Sequence, residues 1–406
     1  MTSRILSLAA VLVSLTARAA EVPEPKFKDI TLDDQIQIGY GLAVADVDGD
    51  KLPDVLLADK KQFVWYRNPG PEKAGDPAAW KKFLMAENLT EHDNVCLAAE
   101  DIDGDGKCEV AVGAEWNPGD TVNSGAVFYL IAPEDRTQKW TPVKFPAVEP
   151  TTHRMRWVKL AEGKWGLVVL PLHGRGNKNG EGAPVKVLLY HPPTPVNDPT
   201  GEWTSEVIDE SMHATHNFET SHDATALWIG GKEGVTLSLY AGERWTSVSG
   251  HVASARGAGE VREGRISRKK SPFLATISPM HGNDLSVWMI PTKKLNGNQF
   301  GEKSIQSLLA ENLIEGHALA TGDLLGTGGD QIVVGWRGSK PEKKAGIALW
   351  APLDESGEKW RETSVDDGGM ACEDLKLADL NGDGKLDIVA SGRATKNVKI
   401  YFNETP

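Results

Sequence analysis

Asp46-Val47-Asp48-Gly49-Asp50-Lys51-Leu52-Pro53-Asp54 sits between two short apolar runs, Leu42-Ala43-Val44 and Val55-Leu56-Leu57. The same arrangement returns as Asp101-Ile102-Asp103-Gly104-Asp105-Gly106-Lys107-Cys108-Glu109 and as Asp379-Leu380-Asn381-Gly382-Asp383-Gly384-Lys385-Leu386-Asp387. Each run puts side-chain oxygens at loop positions one, three, five and nine, with glycine in the turn. A hard cation such as calcium takes six to eight oxygens from a tightly curled backbone, and this spacing supplies several of them. The unit is strand, metal loop, strand; the helices and the twelfth-position Glu of an EF-hand are missing. We therefore expect structural calcium at Asp46, Asp48, Asp50 and Asp54, at Asp101, Asp103, Asp105 and Glu109, and at Asp379, Asn381, Asp383 and Asp387. The plainer alternative is an Asp/Gly-rich hairpin without an ion.

Working outward, the chain divides into seven units of the length that signals a propeller. Six end on a strand that opens with an aromatic residue: Trp80, Trp140, Trp203, Trp245, Phe300 (the stretch to Ile305) and Trp360. The seventh closing strand is absent after Val398–Phe402 and is found near the N-terminus, at Lys26–Thr31. A strand from one end completing the last blade closes a ring and removes exposed sheet edges. The expected fold is all-β, a seven-bladed propeller, with residues 20–406 as one domain. The fifth unit, roughly residues 252–308, is poorly patterned. The sixth keeps a relic loop, Asp323 to Asp330, for which no ion is expected.

Arg4, the apolar run Ile5–Leu15 and Ala17-Arg18-Ala19 have the layout of a secretory signal peptide, residues 1–19, so the expected location is secreted or periplasmic. No later run is long and apolar enough for a membrane span. A net charge of -13 argues against nucleic acid or an anionic membrane as partner. Three cysteines in 406 residues form no disulfide framework and are read as small buried apolar residues.

The chain has ten histidines, and most of them fall at two places in the repeat. His92, His153, His213 or His216, and His317 precede or begin a first strand. His173 and His281 follow a second strand, where other units put Glu115-Trp116, Trp336-Arg337 and Arg393. In an up-and-down blade these two places share one face, opposite the metal loops. Imidazoles converging there can bind zinc or another divalent metal, or act as acid and base near neutral pH; alternatively each ring caps a loop or bonds a backbone carbonyl. His191, His222 and His251 do not fit the pattern. Arg154 and Arg156, so close to an innermost strand, imply a polyhydroxyl or anionic ligand or ion pairs with Glu. The expected partner is a small molecule or oligosaccharide.

The acidic loops resemble the FG-GAP/VCBS repeats of secreted propellers. A narrower resemblance rests on Glu91-His92-Asp93-Asn94, Gly113 to Pro118, Thr152 to Trp157, Pro171 to Asn177 and His213 to Phe218. Together these resemble the propeller domain of aldos-2-ulose dehydratase (1,5-anhydro-D-fructose dehydratase) and its bacterial relatives, over most of the mature chain. The resemblance implies a carbon–oxygen lyase that removes water from a keto-sugar by β-elimination, with a metal ion and histidines taking part. On that reading His92, His153 and His216 are candidate metal ligands, and His173 is base or acid with His281 as partner; His153 and His173 can exchange roles. Arg154 and Arg175 join the catalytic set, and Glu115, Trp116, Arg156, Trp336, Arg337 and Arg393 bind substrate. Two other readings stand beside it: a non-catalytic propeller binding glycan or protein, and a propeller polysaccharide lyase acting on uronates.

Overall fold

The computed structural model describes residues 22–146, 148–160, 163–198, 201–241, 244–248, 256–267, 272–290, 305–339 and 344–406. The leader read at residues 1–19, His251 and residues 300–304 of one closing stretch lie outside them. The first strand, β1 (Phe27–Asp33), stands apart from the blade that follows it. Blade one is β2 (Gly41–Ala45), β3 (Asp54–Ala58), β4 (Gln62–Arg67) and β5 (Lys81–Glu87). Blade two is β6 (Cys96–Glu100), β7 (Glu109–Ala114), β8 (Ala126–Ile131) and β9 (Thr141–Lys144). Blade three is β10 (Thr152–Lys159), β11 (Trp165–Pro171), β12 (Val187–His191) and β13 (Thr204–Asp209). Blade four is β14 (Thr215–Thr220), β15 (Ala226–Gly231), β16 (Gly234–Ala241) and β17 (Arg244–Ser247). Blade five is β18 (Glu260–Arg265), β19 (Pro272–Ser278), β20 (Asp284–Met289) and β21 (Ile305–Ala310). Blade six is β22 (Gly316–Gly322), β23 (Gln331–Trp336), β24 (Gly346–Pro352) and β25 (Trp360–Asp367). Blade seven is β26 (Cys372–Ala378), β27 (Asp387–Gly392) and β28 (Asn397–Asn403), with β1 as its outer strand, antiparallel to β28 from Phe27↔Asn403 onward.

The protein is thus an all-β, seven-bladed propeller. Of the expected closing stretch of blade five, only Ile305 lies among the described residues, and it opens the described strand. The core lies between blades. Apolar residues from one sheet interdigitate with those of the next, as Leu56, Phe63 and Trp65 do with Val110, Val112 and Phe128. The tryptophans that open closing strands have a local task. Trp80 Nε1 donates to Ala74 O at 2.9 Å, Trp140 Nε1 to Arg136 O at 3.1 Å, and Trp360 Nε1 to Gly357 O at 2.9 Å, so each indole buries its body and satisfies the turn before it. All three cysteines are free and buried.

The acidic loops join the first and second strands of blades one, two and seven. Their first carboxylates are engaged by the backbone of their own turn. Asp46 accepts from Gly49 N and Lys51 N, Asp101 from Gly104 N and Gly106 N, and Asp379 from Gly382 N and Gly384 N. The ninth residue turns inward as a clamp. Asp54 accepts from Val47 N and Asn68 N, Asp387 from Leu380 N and Asn403 N, and Glu109 from Ile102 N. In blade six Gln331 stands at this place, accepts from Leu325 N through Oε1 and donates to Gly329 O through Nε2. A neutral amide does there what a carboxylate does elsewhere.

Candidate functional site

The innermost strands of four blades carry a β-bulge at their second residue. The register slips between Thr152 and Arg154, Thr215 and Asn217, Gly316 and Ala318, and Cys372 and Asp374. The residues in those gaps are His153, His216, His317 and Glu373. A bulge re-aims one side chain relative to the pleat, and here it gathers buried polar groups around the axis. His153, His216 and His317 are 5%, 1% and 3% exposed.

Each ring is pinned by the following blade. His153 Nδ1 lies 2.8 Å from His216 O, His216 Nδ1 2.8 Å from Gly259 O, and His317 Nδ1 2.7 Å from Glu373 O. A carbonyl can only accept, so Nδ1 carries the hydrogen and Nε2 keeps its lone pair. Each ring bonds a backbone carbonyl at one edge, the plainer of the two sequence readings, and turns Nε2 to the other.

Blade five lacks a side chain at the equivalent place, which is Gly259. A Cβ there would come within 3.1 Å of His281 N and Met280 Cα, so glycine admits the turn from the β19–β20 connection. That turn brings in His281, whose φ of 52° lies in the left-handed region. Its Nε2 is 2.8 Å from His216 Nε2. Ring nitrogens of His216, His281 and His317 all lie within 4.8 Å of one another. His153 flanks them, with its ring centroid 4.7 Å from that of His216.

The electrostatics keep His153, His281 and His317 neutral. Burial, with the charge of Arg154 and the neighbouring His216, pushes His153 well below the usual imidazole range. Burial and Arg337 do the same to His317. His281 is lowered to about 2, by desolvation first and then by His216, Arg337, Arg154 and Arg393. Neutral imidazoles are the form that binds a metal. A donor set of imidazoles suits zinc, copper, nickel or iron and not the oxygen-seeking calcium or magnesium. The His216–His281 separation of 2.8 Å is that of a hydrogen bond between the rings; tetrahedral ligands at about 2.1 Å stand about 3.4 Å apart, so a metal would replace that bond and spread the two rings by about half an ångström.

The sequence expectation is corrected at several residues. His92 is outside this cluster: its Nδ1 pairs with Glu115 Oε1 at 2.5 Å, because it lies in the loop before β6, four residues ahead of an unbulged strand. His281 joins instead. Trp116 stacks on His153, centroids 5.0 Å apart and planes 24° from parallel. Trp336 is turned away from the axis. It packs on Gly346 of the adjacent strand, donates to Lys344 O and lines an outer cleft with Leu313 and Trp350. Arg337 grips Glu373 through two bonds of 2.6 and 2.7 Å, and Arg393 Nη1 reaches the same carboxylate at 3.4 Å. Arg175 donates to Val122 O and Val148 O and faces Glu149 at 3.6 Å. Arg154 donates to His153 O and lines a cavity of about 250 Å³ inside the channel. Arg156 is two residues deeper, facing Glu219 at 3.5 Å towards the opposite mouth. His173 is half-buried, with backbone bonds to Thr151 Oγ1 and no partner for Nδ1, and burial lowers it.

Sequence reasoning missed the buried charges below the histidines. Glu260, 1% exposed, lies 3.2 Å from His216 Nδ1 and accepts from Asn217 Nδ2 at 2.7 Å; Arg262 faces it at 3.3 Å. The same proximity to His216, Arg262 and Arg154 outweighs burial and holds this carboxyl below the usual range. Asp374 and Lys376 pair at 2.7 Å. The available signal was charge at alternate positions of innermost strands, Glu260-Val261-Arg262 and Asp374-Leu375-Lys376, which marks a polar channel.

Comparison with known proteins agrees with this architecture. Residues 124–291 match the family model for the aldos-2-ulose dehydratase β-propeller domain, and residues 46–112 match the FG-GAP-like repeat. The aldos-2-ulose dehydratase of Phanerodontia chrysosporium is 24% identical over 207 residues, which are 45% of this chain and 23% of that enzyme. The chain therefore matches less than a quarter of that relative's length, and the family match is narrower than the motifs implied, leaving out the stretches around His92 and Trp116. One chain of the crystal structure of the mitotic checkpoint complex superposes with a TM-score of 0.55 at 12% identity, covering 99% of both chains. The β-propeller domain of Myceliophteria thermophila Cps50 (Swd1) gives 0.53 at 10% identity, covering 92% of this chain and 99% of that one. At such identities these two likenesses speak to the fold alone. Among the described residues no helix is long and apolar enough to cross a membrane.

Proposed function

We propose that this propeller is a secreted carbon–oxygen lyase that removes water from a keto-sugar at the histidine-lined mouth of its channel. The observation that carries the reading is the convergence of His216, His281 and His317 within 4.8 Å, with His153 beside them. Zinc or another divalent metal of imidazole preference would be held by His216, His281 and His317. When bound, it supplies a Lewis acid for the substrate carbonyl. His216 and His317 present Nε2 because neighbouring carbonyls hold Nδ1–H, and His281 gives up its Nε2 proton to do so. His173, kept neutral by burial, takes the proton next to the carbonyl. Trp116 forms a wall for the sugar ring.

The arginines bear on the substrate class. Arg337 and Arg393 share Glu373, and Arg175 faces Glu149, so these guanidiniums are already matched with carboxylates. That favours a neutral keto-sugar over a uronate. On the loop face, calcium fits blades one and two best, where Asp46, Asp48 and Asp50, and Asp101, Asp103 and Glu109, cluster their oxygens. In blade one Arg67 Nε already sits 2.6 Å from Asp48.

The second reading, a glycan-binding propeller without chemistry, is favoured by the FG-GAP-like match at 46–112. The two separate in one assay. The zinc-loaded protein is incubated with a panel of keto-sugars and the ultraviolet absorbance of a conjugated product is followed. The expected result is growing absorbance that His173→Ala abolishes with little change in Tm. Saturable binding without absorbance would establish the binder.

A further inference from the structure

We propose that His92, held by Glu115, is the proton donor of this site, delivering its proton to the oxygen that leaves the sugar. The inference rests on the lyase reading and completes it, since β-elimination needs an acid as well as a base. His173 takes the proton, the C–H electron pair becomes the new C=C bond, the C–O bond breaks, and the oxygen departs as water with the proton from His92. Solvent then restores both rings.

The geometry is that of an oriented acid. Glu115 holds His92 twice, through Oε1 to the ring Nδ1 at 2.5 Å and through Oε2 to the backbone N–H at 3.2 Å. Glu115 itself is fixed by its N–H donating to Thr90 Oγ1 at 3.0 Å, while Lys61 Nζ donates to His92 O at 2.8 Å. Glu115 has φ 56°, a left-handed conformation that a residue with a side chain adopts at a cost. A carboxylate on Nδ1 orients the ring, and Nε2 faces only Asn117 Nδ2 at 3.5 Å, a long contact that a substrate oxygen would replace, the logic of a histidine–carboxylate pair.

The pair also has the right neighbours. Glu115 is followed by Trp116, whose indole covers His153. The loop after Trp116 carries the loop of His173: Gly176 N donates to Thr121 O at 2.9 Å, Thr121 Oγ1 to Asn177 O at 2.9 Å, and Arg175 Nη1 to Val122 O at 2.8 Å. His173 in turn bonds Thr151, two residues before His153. A sugar placed on Trp116 would have beside it His92 of blade two, next to the Asp93–Trp116 bridge, and His173 of blade three. Their surroundings push them apart, as an acid and a base require. Glu115, Glu91 and the more distant Asp120 favour His92 as a cation against Lys61, with Asp93 beside that lysine, while burial keeps His173 neutral.

The test compares two keto-sugars that differ at the leaving position, one with hydroxyl and one with fluoride, which departs without a proton. His92→Gln is expected to slow loss of hydroxyl by about 10²- to 10⁴-fold and to leave fluoride loss within a few-fold. Glu115→Gln is expected to move the alkaline limb of the kcat/KM profile to lower pH. Nitrogen NMR of the His92 ring, which needs no turnover, should show the same downward shift of its titration. Equal losses on both substrates, unchanged rates, or the fluoride rescue appearing in His213→Gln instead would overturn the assignment. Absence of elimination by the wild-type protein on both sugars would overturn the lyase reading itself. His92 is exposed, so a matching Tm separates these outcomes from misfolding.

Discussion

The two faces of the propeller use the same inner strands in opposite ways. On the loop face, the carboxylates of Asp46, Asp101 and Asp379 are taken up by the N–H groups of their own turns. On the hub face, the rings of His153, His216 and His317 are held at Nδ1 by the next blade, and no backbone group takes up Nε2; that of His216 meets His281 Nε2. Blade six shows that the loop clamp works with the neutral Gln331, and blade five shows that an inner strand is built without a histidine, at Gly259. The loop oxygens thus serve shape first. The hub nitrogens exceed what shape requires.

The strongest way to break this contrast is at the hub. His216→Gln should weaken uptake of cobalt, a spectroscopic stand-in for zinc, by about 100-fold or more through loss of one ligand, read by visible absorbance, while calcium binding stays as it was. If cobalt affinity is unchanged, the hub is not a metal site. On the loop face, Asp54→Ala should instead cost about 2–4 kcal/mol in urea unfolding, because two buried N–H groups lose their acceptor. Gln331→Ala should fall in the same range; a much smaller cost would mean that blade six does not share the clamp.

The smallest effect concerns pH. Desolvation raises Asp54 to about 8, Glu109 to about 7 and Asp387 to about 6. Between the ordinary carboxylate range near pH 4 and these values, the folded chain binds more protons than the unfolded one. Stability from these groups must therefore fall as pH rises through that window. In the presence of a chelator, Tm should decline from pH 5 to pH 8. Calcium, which stabilises the ionised form, should flatten the slope; a rising Tm in chelator would contradict it.

The blade count and the direction of each blade were legible because the loop repeat and the aromatic residue before each closing strand are local signals. Lys26–Thr31 could be placed with the last blade because that blade lacked its fourth strand. The site was legible only in part. His216 and His153 were identified by their place in the repeat, but that place merges two structural positions, the bulge and the loop ahead of it. His92 was taken for the first and belongs to the second. Trp336 was expected at the hub because its neighbour Arg337 is there, yet successive residues at a strand end point to opposite sides. Glu260 and Glu373 were passed over because their partners, His216 and Arg337, are distant in sequence.

The pairing of β1 with β28 also orders the birth of the molecule. Thr31 and Lys399 lie side by side yet stand far apart along the chain, so β1 must wait, solvated, until β28 has been made. Its makeup suits that wait. Of its seven residues only Ile30 is buried in the finished blade, and Lys28, Asp29 and Asp33 punctuate the rest. Such a strand offers little to a wrong neighbour before its own arrives.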